Sequence, residues 1–198
     1  MDSFQLWAKP WWVNLLILIP LIAFFEWRKK ELLLPRRQLL LLAAFAMAFG
    51  FVEASVVAYL RAATGLLPGY AGTLRDVQRS ASEFYKQAEA IHSFPQSLLT
   101  LEVLREGATI VMLVSVAFLS AAKARERWAA FLWAFAIWDL SYYAALWATV
   151  RWPGSLRDLD VLFLIPEPWL AQIWFPVLVS SLTVLVIASR TKKTSRDG

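Results

Sequence analysis

The chain has 198 residues, of which 59% are hydrophobic, and its mean hydropathy is +0.53. Eleven residues are tryptophan, and 20 Lys and Arg against 15 Asp and Glu give a formal net charge of +5. A soluble domain of this size does not bury so much apolar surface, so the composition predicts a membrane protein. Cysteine is absent, which excludes disulfides, thiolate metal sites and a cysteine nucleophile.

Five stretches have the length and apolar composition that a membrane crossing of about 20 residues requires. They predict an all-α fold, a single-domain bundle of five transmembrane helices over residues 1–198. Pro20 is expected to kink the first span or change its packing, and Pro166, Pro168 and Pro176 predict an irregular start to the fifth. The predicted spans are 10–26, 38–60, 101–122, 128–150 and 168–189.

The longest stretch between spans follows the second one. Between Leu74 and Ile91, apolar residues recur at three- and four-residue steps with charged residues between them. This pattern predicts an amphipathic helix at about 73–91 that lies on the outer membrane surface. Two roles are compatible with it, a lid over an outward-facing site and a connector that rests on the interface.

Lys and Arg are concentrated in the loops at 28–37 and 123–127 and in the tail at 190–198. The positive-inside rule therefore predicts an inner-membrane protein with its N-terminus outside and its C-terminus in the cytoplasm. The basic tail is expected to contact anionic membrane lipids rather than nucleic acid. No feature of the sequence indicates a protein partner or an oligomeric state.

Glu53, Glu106 and Asp139 each interrupt one of the three middle spans. A carboxylate in hydrocarbon costs several kcal/mol unless it is partnered or protonated, so these acids are the best indicators of a functional site. At about 1.5 Å per residue they lie roughly 10, 8 and 15 Å below the outer ends of their spans. The sequence therefore predicts one polar layer in the outer half of the membrane.

Several further features favour convergence of these acids. Small residues at every fourth position, from Ala46 to Ala58, form a seam that lets another helix approach the second span closely, and Glu53 flanks it. Other polar side chains lie at helical spacing from each acid. The acids outnumber the cations, so at least one is expected to hold a proton or share a bound cation. The predicted site comprises Glu53, Glu102, Arg105, Glu106, Asp139, Tyr142, Tyr143 and Arg61.

The segment 151–168 adds Asp160 and Glu167 on the same outer side, at either end of the apolar run VLFLIP. This run is too short to span a membrane. If the segment folds back over the bundle, both acids border the site. The alternative is an interfacial loop whose acids are solvated.

The whole sequence contains no HExxH, no GxSxG, no phosphate-binding glycine loop and no Cys/His metal spacing, so no haem, zinc or nucleotide site is indicated. The remaining chemistry is a divalent cation held by Glu53, Glu106 and Asp139, or acid/base work by a buried carboxylate. Arg105 beside Glu106 also has the chemistry to bind a phosphate or carboxylate head group.

Three classes of function follow. The first is a binding or catalytic membrane protein whose outward-facing site takes a cation or a lipid-linked polar head group. The second is a structural or assembly subunit, in which buried ion pairs, for example Arg105 with Glu53 and Asp139, only fix helix packing. The third is an ion- or proton-coupled transporter, which the apolar inner halves of the spans disfavour. Whether the protein is an enzyme stays open.

Overall fold

The computed structural model of the protein describes residues 4–29, 32–63 and 96–191. The predicted amphipathic helix at 73–91 lies outside the described residues, as does nearly all of the predicted tail and the side chain of Arg61. Within the described part, a 3-10 helix at Trp11–Ile17 precedes α1 (Leu18–Trp27), α2 (Arg36–Ala63), α3 (Gln96–Ser120), α4 (Ala124–Val150), strands β1 (Leu159–Val161) and β2 (Leu170–Gln172), and α5 (Trp174–Arg190).

Three helices, α2, α3 and α4, are long and apolar enough to cross a membrane. Their apolar stretches have 24, 25 and 27 residues, and they coincide with the second, third and fourth predicted spans. The count of five spans is not confirmed. The first and fifth apolar segments, Trp11–Trp27 and Trp174–Arg190, are shorter helical stretches, and α5 has 17 residues against the roughly 20 that a crossing requires.

In both of these segments the α-helix begins just before a proline. In the first, the chain changes from a 3-10 to an α-helix immediately before Leu18, so that Pro20 falls in the first turn of α1. In the fifth, Pro176 falls in the first turn of α5 and the residues before the helix form β2. Proline is tolerated in a first turn because its missing N–H has no partner inside the helix there.

Helix α4 lies at the centre of the bundle and packs against α2, α3 and α5, while α1 packs against α5. The α2–α4 contact uses the predicted small-residue seam, in which Ala46 and Ala54 are buried. A Cβ atom added at Gly50 would lie only 2.7 Å from the backbone oxygen of Trp138. Gly50 therefore permits a backbone approach that no larger residue allows.

A short β-hairpin is the main departure from the predicted all-α fold. Strands β1 and β2 are antiparallel, with Asp160 opposite Ala171. The backbone of Lys9 adds to the hairpin through two hydrogen bonds with Leu170, of 2.8 and 2.6 Å. The segment that begins after α4 thus folds back over the bundle and places residues 160–165 beside α3 and α4.

Candidate ligand cavity

An ion-pair cluster joins α2 to α3. The Arg105 guanidinium contacts Glu53 and donates to Glu102, with 2.8 Å from Nη2 to Oε2. The Thr109 hydroxyl also donates to Glu53. Glu53 and Glu102 are 4% and 8% exposed, so both carboxylates are withdrawn from solvent. One guanidinium therefore pairs with two buried carboxylates. The hydrogen bonds of the cluster help to offset the free-energy cost of removing these carboxylates from water.

A second group of acids lies between α4, α5 and the hairpin. The Ser180 hydroxyl donates to Asp139 Oδ2 at 2.7 Å, and the Tyr143 hydroxyl donates to Asp160 Oδ2 at 2.7 Å. Asp160 is 1% exposed and lies within electrostatic range of Asp139. In the part of the chain that the structure describes, Asp139 has no ion pair. Hydroxyl groups orient these carboxylates without supplying a compensating positive charge.

Glu106 connects the two groups. Its Oε2 accepts a hydrogen bond of 2.8 Å from the backbone N–H of Leu164, which ties α3 to the loop of the hairpin. Arg105 and Asp160 both lie within electrostatic range of it. Glu106 is 8% exposed. Glu106 thereby lies between the ion-pair cluster and the acids of α4 and β1.

A cavity of about 550 Å³ lies beside these acids, between α3, α4, α5 and the hairpin. Its volume is within the usual range for sites that hold a small organic ligand. Apart from the acids, its walls are mostly apolar and rich in aromatic rings. Along α4 the aromatic wall extends from Trp128 to Trp138, a rise of about 15 Å at the spacing of an α-helix. The main aromatic residues are Trp128, Phe131, Phe135, Trp138, Phe163 and Trp169.

Most of the predicted site residues line this one cavity. They are Glu53, Glu102, Arg105, Glu106, Asp139, Tyr142, Tyr143 and Asp160. The interfacial-loop alternative is wrong for Asp160, because the hairpin buries it, but it describes Glu167, which is exposed and accepts a 3.4 Å hydrogen bond from Trp12. Arg105 pairs with Glu53 as the structural alternative expected, but its second partner is Glu102 rather than Asp139.

The geometry gives no support to a metal site at Glu53, Glu106 and Asp139. Across residues 4–29, 32–63 and 96–191, no three His, Cys, Asp or Glu side chains are grouped closely enough to hold a metal ion. The acids line one cavity, but they are too far apart to coordinate one metal ion together. Their arrangement fits a ligand large enough to contact several walls.

Sequence reasoning missed the residues that support the acids. Thr109 lies one turn along α3 from Arg105, which is a spacing that a search for polar neighbours would detect. Ser180 lies in an apolar run of α5, and only the three-dimensional packing brings it to Asp139. Trp138 was not among the predicted site residues, yet it lines the cavity, and its indole N–H has no hydrogen-bond acceptor among the described residues.

No protein-family model, curated protein or solved structure matches this chain. A helix bundle by itself specifies no activity, whereas the residues around a cavity limit which molecules it accepts.

Proposed function

We propose that this chain is a multi-pass membrane protein that binds an amphipathic molecule in the cavity beside α3 and α4. The polar head group contacts the carboxylates, and the hydrocarbon chain lies along the aromatic wall. The observation that carries the proposal is that a single cavity is lined by carboxylates in one part and by aromatic rings in another. Glu106 and Asp139 line the polar part, and Trp128 and Phe131 lie farther along the wall.

The alternative of a purely structural polar network accounts for less of this arrangement. A network that only fixes helix packing is expected to sit in a tightly packed interior, because protein cores leave few voids larger than a water molecule. Here about 550 Å³ of space adjoins the acids. The ion pairs of Arg105 explain how α2 and α3 are joined, but they do not explain the cavity.

A transporter is supported less well than a binding protein. Ion or proton transfer across a membrane requires polar groups along the whole path. The part of the cavity wall that continues along α4 away from the acids consists of Trp128, Phe131, Leu132 and Phe135. These residues favour a hydrocarbon chain over an ion.

The proposed setting is the inner membrane, with the cavity in the outer half, the N-terminus outside and the C-terminus in the cytoplasm. The backbone of Leu32 bonds to Arg190, so the basic loop at 28–37 and the end of α5 share one end of the bundle. The hairpin lies at the opposite end of the bundle, because it follows the last residue of α4 and precedes the first residue of α5. The positive-inside rule assigns the basic end to the cytoplasm.

Cysteine labelling tests this proposal directly because the chain contains no cysteine of its own. Gly107 lines the cavity, and a Cβ atom added there meets nothing within 4 Å, so Gly107→Cys places a thiol in the cavity without a clash. Leu119→Cys is the matched control, because Leu119 is on the same helix and 88% exposed. Both variants are placed in nanodiscs of an uncharged glycolipid and labelled with a maleimide.

Molecules with a dodecyl chain and a cationic, anionic or uncharged head group are then added at equal mole fraction. We expect at least one of them to slow labelling at Gly107→Cys by about tenfold while labelling at Leu119→Cys changes little. The corresponding short-chain head groups should give no protection, because they lack the chain that occupies the aromatic wall. Equal effects at both positions for every molecule would refute the proposal.

A further inference from the structure

We infer that the ligand of this cavity carries a positively charged head group, an amine or a quaternary ammonium, on its hydrocarbon chain. This inference rests on the proposed function and specifies the ligand class. The head group lies in the acidic part of the cavity, which Glu106, Asp139 and Asp160 line together with the rings of Trp138 and Tyr142.

The first argument is charge complementarity. Among the cavity-lining residues that the structure describes, the ionisable acids and bases are five carboxylates and one guanidinium. The guanidinium of Arg105 is engaged by Glu53 and Glu102, so it is surrounded by more negative charge than it carries. An anionic head group at this end would be repelled, which argues against the phosphate or carboxylate ligand that Arg105 alone suggested.

The second argument is the way Glu106 and Asp139 are held. Glu106 accepts from the backbone N–H of Leu164, and Asp139 accepts from the hydroxyl of Ser180, with 2.8 and 2.7 Å between the heavy atoms. These donors are neutral, so they fix the direction of each carboxylate while leaving its charge available to a ligand. An ammonium group supplies both the opposite charge and, in an amine, the N–H donors that carboxylates accept.

The third argument is the separation of the acids. Glu106 is on α3, Asp139 on α4 and Asp160 on β1, and they do not form a group that could hold a metal ion. Asp160 is nevertheless within electrostatic range of both of the others. An organic cation is broader than a metal ion, so it can approach carboxylates that lie on different walls. The arrangement therefore favours an ammonium head group over a bare cation.

The fourth argument comes from the aromatic rings next to the acids. Trp138 and Tyr142 stack with their ring centroids 6.2 Å apart, and both line the cavity. Aromatic faces attract ammonium and quaternary ammonium groups through the ring quadrupole. Trp138 is 8% exposed, and its indole N–H has no acceptor in the described part of the chain. An oxygen atom of the ligand near the head group is a suitable acceptor for it.

The test uses three probes with the same tail, namely dodecyltrimethylammonium, dodecyl sulfate and dodecanol. Each is added at equal mole fraction to Gly107→Cys protein in nanodiscs of digalactosyl diacylglycerol, which is uncharged. Labelling of Leu119→Cys corrects for partition into the bilayer. We expect dodecyltrimethylammonium to slow labelling at Gly107→Cys about tenfold more than dodecanol does. Dodecyl sulfate should protect less than dodecanol.

Matched variants in the Gly107→Cys background locate the effect. Asp139→Asn and Glu106→Gln keep an oxygen acceptor for Ser180 and for the Leu164 N–H but remove the negative charge, so both should lose the preference for the cationic probe. Glu126→Gln should keep it. Glu126 is also a buried acid of α4, but it does not line the cavity.

The outcomes separate this inference from the proposed function. If dodecanol or dodecyl sulfate protects as well as the ammonium probe, the charge inference is overturned and amphiphile binding stands. If no probe with a dodecyl chain protects Gly107→Cys beyond Leu119→Cys, both fail. Circular dichroism and thermal unfolding identify any acid variant that does not fold. The comparison of the three probes on Gly107→Cys protein decides the question without those variants.

Discussion

The two polar regions of this bundle bury carboxylates in different ways. Between α2 and α3, Glu53 and Glu102 share the guanidinium of Arg105. Between α4 and α5, Asp139 is held by a hydroxyl group and has no ion pair within the residues that the structure describes. A carboxylate paired with a guanidinium suits a structural role, because its charge is already compensated. A carboxylate held by a neutral donor suits the binding of a ligand, because its charge is not compensated by the protein. The predictions below test this distinction.

The largest effect on stability is expected at Arg105. Arg105→Gln leaves Glu53 and Glu102 buried without their cation, and breaking a buried pair on one side costs about 3 kcal/mol or more. Thermal unfolding in detergent should show a large loss of stability. The double variant Arg105→Gln with Glu53→Gln should recover part of it, since one of the two stranded charges is removed. Full stability in Arg105→Gln would show that this cluster is not a structural element.

The next largest effect is expected at Gly50, where α2 meets α4. Gly50→Ala places a Cβ atom 2.7 Å from the backbone oxygen of Trp138 and 3.0 Å from the backbone nitrogen of Tyr142, so the two helices must separate. Overpacking of this kind costs about 1–3 kcal/mol. Unfolding measurements on Gly107→Ala supply the control, because an added Cβ atom meets nothing within 4 Å there.

In the second region, a charge-removing change should affect binding more than stability. Asp139→Asn keeps an oxygen that accepts from Ser180, so its cost in unfolding free energy should be below about 1 kcal/mol. Binding of a cationic amphiphile should weaken by about tenfold, which corresponds to about 1.4 kcal/mol. Titrations of the wild-type and variant proteins in nanodiscs measure this change. A large loss of stability with unchanged binding would assign Asp139 to the structural class instead.

The sequence was most informative where apolar runs were long. The helices α2, α3 and α4 follow from such runs, because a stretch of about 20 predominantly apolar residues is typical of a transmembrane helix. The small-residue seam also predicted that another helix approaches α2 closely, and in the structure that helix is α4. The last apolar segment was judged too long, because α5 begins only at Trp174, whereas the first has the predicted length but begins as a 3-10 helix. Their prolines indicated irregularity, but a pattern of residue types does not show that the chain before α5 pairs as a hairpin.

The cavity was predictable only in part. Counting residues along helices predicted similar depths for Glu53, Glu106 and Asp139, and these side chains do line one cavity, while the depths stay a prediction. Pairing partners do not follow from counting, because Glu53 and Arg105 are 52 residues apart and Ser180 lies 41 residues from Asp139. The burial of Asp160 depends on a tertiary contact with Tyr143 that has no periodic signature.

The smallest effect on binding is expected at Ser180, and it sharpens the comparison between the two regions. Ser180→Ala removes the hydroxyl that orients Asp139, at a cost of about 1 kcal/mol in the free energy of unfolding. The charge of Asp139 remains, so binding of a cationic amphiphile should weaken only severalfold, less than in Asp139→Asn. Thr149→Ala, which removes a hydroxyl of α4 that does not line the cavity, serves as the control and should leave binding unchanged. If Ser180→Ala weakens binding as much as Asp139→Asn does, the direction of the carboxylate matters as much as its charge.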